Sequence, residues 1–203
     1  MEEKIERTLK ALKSHGFETE YLPDRAAVRA RLLELIPQGA TVGLPGSRTV
    51  RDTGIVEALR ERGEQISDHW TAPAQDMLQT RKSQLTCDVL LSSANALTET
   101  GELVNKDGIG NRVAAMMFGP RQVVIVAGKN KIVPDLASAE DRIRKIAAPK
   151  RAKEYNLQTP CVKAGECQDC NHAQRICRAT VILHRRPMLT PLRVIVVGED
   201  LGN

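Results

Sequence analysis

An α/β fold built on a doubly wound, mainly parallel sheet is predicted by three features of the 203-residue chain. Apolar runs bounded by turn residues (ATVGL at 40–44, CDVLLSS at 87–93 and QVVIVAG at 122–128) read as strands buried on both faces. Amphipathic helical stretches alternate with them, which is the pattern of helices covering both faces of a parallel sheet. No internal repeat or low-complexity linker divides the chain. Its length fits one domain of roughly 100–200 residues, so 1–203 is read as a single domain.

The elements follow in order. Residues 2–15 carry Ile5, Leu9 and Leu12 at helical spacing, and Gly16 ends that helix. FETEYL (17–22) is a short strand. Asp24 precedes a second helix from Ala26 to Ile36, stopped by Pro37 and Gly39. After the strand at 40–44, PGS (45–47) is a turn in which Ser47 caps a helix from Thr49 to Arg62. A strand near 65–67, a helix near 74–85 and the strand at 87–93 come next. TETGELVNKDG (98–108) has hairpin chemistry around Thr100-Gly101. Residues 111–118 form a helix closed by Gly119-Pro120, and 122–128 is the clearest strand. A basic amphipathic helix covers 139–155, with Pro149 suggesting a break. A cysteine-rich segment, 158–178, then interrupts the chain as an inserted loop before strands at 180–184 and 192–197.

Composition limits the functional classes. With 41% hydrophobic and 27% charged residues the chain is not disordered. No apolar stretch approaches the roughly 18 residues of a membrane span. The opening MEEKIERTLKALKSHG is acidic and has no apolar signal region, so a cytoplasmic protein with no membrane partner is expected. Only five aromatic residues are present, a poor basis for nucleic-acid binding by base stacking. The formal charge of +5 is uneven: between Arg142 and Arg193 twelve Lys/Arg stand against Glu154, Glu166 and Asp169, a local +9.

Four of the five cysteines lie in that basic stretch. TPCVKAGECQDCNHAQRICR spaces Cys161, Cys167, Cys170 and Cys177 as C-x5-C-x2-C-x6-C. Four soft ligands in one short wrap can close around one metal centre, and both zinc sites and cubane clusters use the C-x2-C spacing. Structural zinc sites more often use two separated pairs, so a [4Fe–4S] cluster is favoured, with zinc as the alternative. Either centre with its four thiolates carries about −2, which Lys163, Arg175 and Arg178 offset. His172 is read as a surface neighbour and Cys87 as a buried, inert thiol.

Two further segments carry candidate binding residues. In GLPGSRT (43–49), Gly46 and Ser47 sit at a strand-to-helix junction and Arg48 adds a donor for phosphate or carboxylate. The segment matches neither a P-loop nor GxGxxG, and an ordinary turn capped by Ser47 is the competing reading. SSANALTETGELVNKDGIGNR (92–112) gathers Asn95, Thr98, Glu99, Asn105, Asp107, Asn111 and Arg112 between two apolar strands in a glycine-rich setting, and strand ends are where open α/β sheets bind ligands. Glu99 is a candidate base or nucleophile and Arg112 a second anion clamp. Hairpin and turn chemistry is the alternative for the Asn and Asp residues.

The runs GLPGSRTVRDTGIVEAL and SSANALTETGELVNKDGIGNRVAAMMFGPRQVVIVAGKNKIV, with the four-cysteine wrap and the closing RVIVVGEDLGN, resemble the lactate-utilisation (LUD) domain family in its cysteine-bearing branch. The resemblance implies a fold similar to the glucosamine-6-phosphate deaminase, ribose-5-phosphate isomerase and CoA-transferase group. It puts Gly46, Ser47 and Arg48 on the family's glycine-rich loop. Asn95, Glu99, Asn105, Gly108, Asn111 and Arg112 fall on its central signature, and Gly128 and Lys131 on the loop after the next strand. In CoA transferases of similar fold a glutamate forms the acyl intermediate, but their surrounding motif is absent around Glu99. Family members tied to lactate oxidation belong to a multi-protein iron–sulfur system, and the member most like this chain in size lacks the cysteine wrap.

Three functions are therefore in play. The leading one is a redox-associated component of lactate-type organic acid metabolism, a possible subunit of an oxidoreductase system. It would bind a small carboxylate or phosphorylated anion and meet an iron–sulfur redox protein. The second is a transferase or isomerase on CoA esters or sugar phosphates, with a structural metal. The third and least favoured is a metal-stapled nucleic-acid binder.

Overall fold

The computed structural model describes residues 2–203. Helix α1 (Glu3–Ser14) buries Ile5 and Leu12 and leads into β1 (Glu18–Leu22). Asp24 accepts from the Ala27 amide and caps α2 (Arg25–Leu35), which precedes β2 (Thr41–Leu44). The single helix expected over 49–62 is instead two, α3 (Arg48–Arg51) and α4 (Ile55–Glu61). Asp52-Thr53-Gly54 separates them, with Gly54 in the left-handed region at φ 73°, which breaks the helical register. After β3 (Gln65–Asp68), a 3-10 turn at Ala74–Asp76 opens into α5 (Met77–Ser83), and β4 (Val89–Ser92) follows.

The hairpin is formed as expected, by β5 (Ala96–Thr98) and β6 (Leu103–Asp107) pairing antiparallel, with Gly101 at φ 97° in its turn. Next come α6 (Asn111–Met117), β7 (Gln122–Gly128), a 3-10 turn at Lys129–Lys131 and β8 (Ile132–Val133). The basic helix starts earlier than expected, because Asp135 caps α7 (Leu136–Arg142) by accepting from Ser138. Pro149 does not end it. A π-helical turn at Ile143–Ala147 precedes α8 (Ala148–Glu154), so the widened turn falls where a proline ring would otherwise meet the carbonyl four residues back. The cysteine segment contains α9 (Pro160–Ala164) and leads to β9 (Ala179–Leu183); β10 (Leu192–Val197) follows.

Six strands form a wholly parallel sheet in the order β1-β10-β7-β4-β2-β3. Alternate residues feed opposite cores. Val123, Ile125 and Ala127 of β7 pack with α1, while Val124 and Val126 pack with α2 and α4. Each fully buried Ile, Leu or Val contributes about 1.5–3 kcal/mol. A second sheet, order β8-β5-β6-β9, was not anticipated. β9 pairs with β6 there, and Ala96 and Val104 of its hairpin pack against Ala139 and Ile143.

The order of the first sheet positions the site. From β2 the chain moves outward to β3, whereas from β4 it moves the other way to β7 and then β10. The β2/β4 border is therefore the topological switch point, and loops leaving the carboxyl ends of these strands diverge to leave a crevice.

Candidate functional site

That crevice is a cavity of about 720 Å³. The turn after β2 supplies Gly46, Ser47, Arg48 and Thr49, and His69 and Trp70 follow β3. Ser93, Ala94 and Asn95 come from the end of β4, and Lys131 from the turn after β7. The end of β6 roofs it with Lys106 and Asp107, followed by Gly108, and α8 adds Arg151, with Tyr155 just past its end.

Lys131 lies at the centre of its polar contacts and is only 4% exposed. Its Nζ is 2.7 Å from Thr49 Oγ1, 2.9 Å from Ser93 Oγ and 3.2 Å from the Ala94 carbonyl, with no carboxylate in salt-bridge range among the described residues. Burial, followed by repulsion from Arg142, Arg112 and Arg151, lowers its pKa to about 7. Arg48 and Arg81 also line the cavity; Arg48 donates to Asp52 at 2.8 Å, and the buried Nε of Arg81 has no partner. The lining acids are already paired. Asp107 Oδ1 accepts from the Ile109 and Gly110 amides, and Glu154 accepts from Arg151. Cations therefore dominate the field inside the cavity, which favours an anion.

Trp70 forms part of the wall. Arg51 and Arg151 guanidinium carbons lie 4.6 and 5.1 Å from its ring, and Tyr155 meets it edge-on at 6.4 Å. Gly46, at φ 83°, lets this ring approach, because a Cβ there would stand 2.8 Å from Trp70 Nε1. His69 Nδ1 lies 3.1 Å from Gln84 Nε2, and burial followed by repulsion from Arg81 lowers the pKa of its imidazole.

Of the sequence candidates, Gly46, Ser47, Arg48, Asn95, Asp107, Gly108, Asn111, Arg112 and Lys131 line this cavity. Arg112 does so with its four terminal N–H groups taken by Ser93 O, Asn105 Oδ1, Asn95 Oδ1 and Lys106 O, and with its Nε in an ion pair 3.5 Å from Asp107 Oδ2. It supplies charge and holds the loop rather than clamping a ligand. Asn105 is fully buried behind it. Gly128 lies outside the lining and allows a close approach by the chain end, since a Cβ would stand 2.5 Å from the Leu201 amide. Glu99 is also outside, paired with Arg7 at 2.7 Å. His69, Trp70, Arg81 and Arg151 were missed. Only the position of His69 and Trp70 directly after a strand signalled them.

The cysteine segment forms a second, small cavity of about 20 Å³, lined by Cys161, Cys167, Cys170 and Cys177 together. No group of three or more His, Cys, Asp or Glu side chains is placed to hold a metal ion among the described residues. Arg175 pins the segment, donating to the Cys170 carbonyl at 2.5 Å, the Cys177 carbonyl at 2.8 Å and Asp169 at 2.9 Å. His172 does not line this cavity. Cys87 is buried elsewhere, its thiol pushed up to about 11 by burial. Ile176 lines both cavities, and Ala147 of the large one adjoins Ala148 of the small one. No helix among the described residues is long and apolar enough to cross a membrane.

A doubly wound parallel sheet with a cation-lined cavity at its switch point places the protein in the class of open α/β folds, whose crevices lie at the strand ends. The LUD domain family matches residues 5–197, and the chain belongs to that family, which is involved in lactate utilisation. Among solved structures, a DUF162 family protein from Deinococcus radiodurans is similar in fold, with a TM-score of 0.57, 14% identity and coverage of 96% of each chain. No curated protein matches the chain.

Proposed function

We propose that the protein is a redox-associated component of lactate-type organic acid metabolism, binding an anionic ligand in the large cavity and a [4Fe–4S] centre on Cys161, Cys167, Cys170 and Cys177. The observation that carries this reading is Ile176, which lines both cavities and so sets the ligand space and the four-thiol cavity side by side. The chemistry of the donors supports it: four soft thiols line one small cavity, and since no three of them are drawn together to hold a metal ion among the described residues, the segment would have to close further around the cluster, or around zinc as the alternative occupant. When bound, a [4Fe–4S] cluster supplies one-electron transfer.

The chain's own residues do the rest. Arg48, Arg81 and Arg151 draw a carboxylate or phosphate to the cavity, and Lys131 fixes a polar pole at its floor. Ser93 and Thr49 hydroxyls lie beside that pole and can hold or pass a proton. A three-carbon acid, at no more than about 30 Å³ per heavy atom, fills only a fraction of the 720 Å³. The cavity thus suits a larger acid, or a small acid with a second molecule. The transferase reading finds no support at Glu99, which is turned to Arg7.

Anaerobic purification followed by a visible spectrum and iron, sulfide and zinc analysis tests the redox part. A brown protein bleached by dithionite is expected, and a colourless one with stoichiometric zinc would remove that part. Thermal-shift titration with L-lactate, pyruvate and phosphate tests the anion site, where stabilisation lost in Arg151→Ala is expected.

A further inference from the structure

Lys131 is the one lysine among the buried residues described, and its surroundings differ from those of a structural ion pair. A buried lysine held for stability is ordinarily matched by a carboxylate that keeps it charged. Here its Nζ meets two hydroxyls and a carbonyl. As an ammonium it donates three hydrogens to these three acceptors. As an amine it donates two, and either Thr49 or Ser93 turns its hydroxyl proton onto the nitrogen lone pair. Both states are fully hydrogen-bonded, so the pocket does not lock the charge. The charged groups facing it are Arg112, Arg142 and Arg151, with Asp52 as the one opposing acid, and with burial they bring the amine to a pKa of about 7. The same guanidinium-rich cavity attracts carboxylates.

We propose that Lys131 is a nucleophilic amine that condenses with the carbonyl carbon of a 2-oxo carboxylate held in the strand-end cavity. This rests on the anion-site reading above and adds covalent chemistry to it. The Nζ lone pair forms the N–C bond while the carbonyl π pair moves to oxygen. One Nζ proton passes to that oxygen through the Ser93 or Thr49 hydroxyl, giving a carbinolamine. The C–O bond then breaks, the oxygen leaves as water with a second proton, and C=N forms; amine and ketone give imine and water, with no change of oxidation state. A neutral amine is required for the first step and a nearby hydroxyl for the proton transfers.

The test is reductive trapping on the whole protein. Pyruvate or 2-oxoglutarate is added with cyanoborohydride at pH 7.5, and the labelled lysine is found by peptide mass mapping. The expected product at Lys131 adds the keto acid less water, plus two hydrogens from reduction, one delivered as hydride and one as a proton, which is a net gain of the keto acid less one oxygen. Labelling should exceed that of Lys129 by at least about 500-fold, from the neutral-amine fractions at pH 7.5 of a lysine near 7 and of one held above its ordinary value by its hydrogen bond to Glu2. L-lactate, lacking the carbonyl, should give no adduct. Labelling spread over exposed lysines, with Lys131 no faster than Lys129, overturns the proposal without recourse to any variant. A keto acid that raises the melting temperature but leaves no adduct overturns the imine and leaves the anion site standing. If neither adduct nor stabilisation is seen, both readings fall. Lys131→Arg, checked for fold by circular dichroism, should lose the adduct.

Discussion

Replacing Lys131 with methionine isolates a pH-dependent term in stability. In the folded chain the ammonium is disfavoured by burial and by Arg142, Arg112 and Arg151, placing its pKa at about 7. The unfolded chain keeps a lysine near 10.4. Between these values the unfolded state binds one more proton than the folded state, so wild-type stability rises with pH by about 1.4 kcal/mol per unit. Below about pH 6 both states are protonated and this slope vanishes. The methionine side chain has no proton to lose, while every other titrating group is shared, so the stability difference between wild type and Lys131→Met isolates the term. It should grow in favour of wild type by about 3 kcal/mol between pH 6 and 9.5. The hydroxyls of Thr49 and Ser93 left without Nζ add an offset, but not a slope. Urea unfolding followed by the emission of Trp70, the single tryptophan, measures both proteins at each pH. A difference flat to within about 1 kcal/mol over that range would mean that Lys131 stays charged, and the argument from its uncharged partners would be wrong.

Other substitutions test separate parts of the molecule. Gly46→Ala puts a Cβ 2.8 Å from Trp70 Nε1 on a left-handed backbone; it should cost about 1–3 kcal/mol and shift the Trp70 emission, measured in the same urea series. Arg175→Met removes the donors to the Cys170 and Cys177 carbonyls, and metal affinity should fall roughly 10- to 100-fold in a chelator competition while the melting temperature of the metal-free chain barely moves. Glu99→Gln breaks a partly exposed ion pair with Arg7; unfolding should show a loss under about 1 kcal/mol, and ligand titration should show no change. Arg112→Lys cannot serve acceptors on Ser93, Asn95, Asn105 and Lys106 at once, and the urea midpoint should fall by an amount equivalent to about 3 kcal/mol or more.

The parallel sheet was legible because a strand buried on both faces has to be apolar throughout, as QVVIVAG is, and alternate side chains of β7 and β10 do enter opposite cores. The second sheet was not legible. Its strands are two to five residues long, and β6 meets β9 only across the whole cysteine segment, at pairs such as Leu103 with Leu183. Short strands with distant partners leave no periodicity to read. The site divides in the same way. Residues of the glycine-containing turns at strand ends were found, since strand ends are where this architecture opens. Arg81 and Arg151 were not, because each is one charge on a short helix until the fold aims it inward. Glu99 was overestimated for a related reason: its neighbours in sequence face the cavity, while the hairpin turn carries it to Arg7, 92 residues away in the chain.

The basic segment shows how far a charge count differs from a hydrogen-bond count. The irregular segment around the cysteines has few strand or helix partners for its backbone, and buried or crowded carbonyls require donors. Arginine supplies them. Arg175 serves the Cys170 and Cys177 carbonyls, Arg178 those of Arg175 and Ala173, and Arg186 those of Pro187 and Thr190. Arg142 reaches Asn130 and Asn95, while Arg193 pairs with Glu18 and Glu20. A nucleic-acid surface needs guanidinium forks free to meet phosphates, and here many of those forks are turned onto the protein's own backbone and acids. The local excess of +9 therefore acts mainly as internal stapling, and as a cationic surrounding for the four thiols and for the cavity beside them.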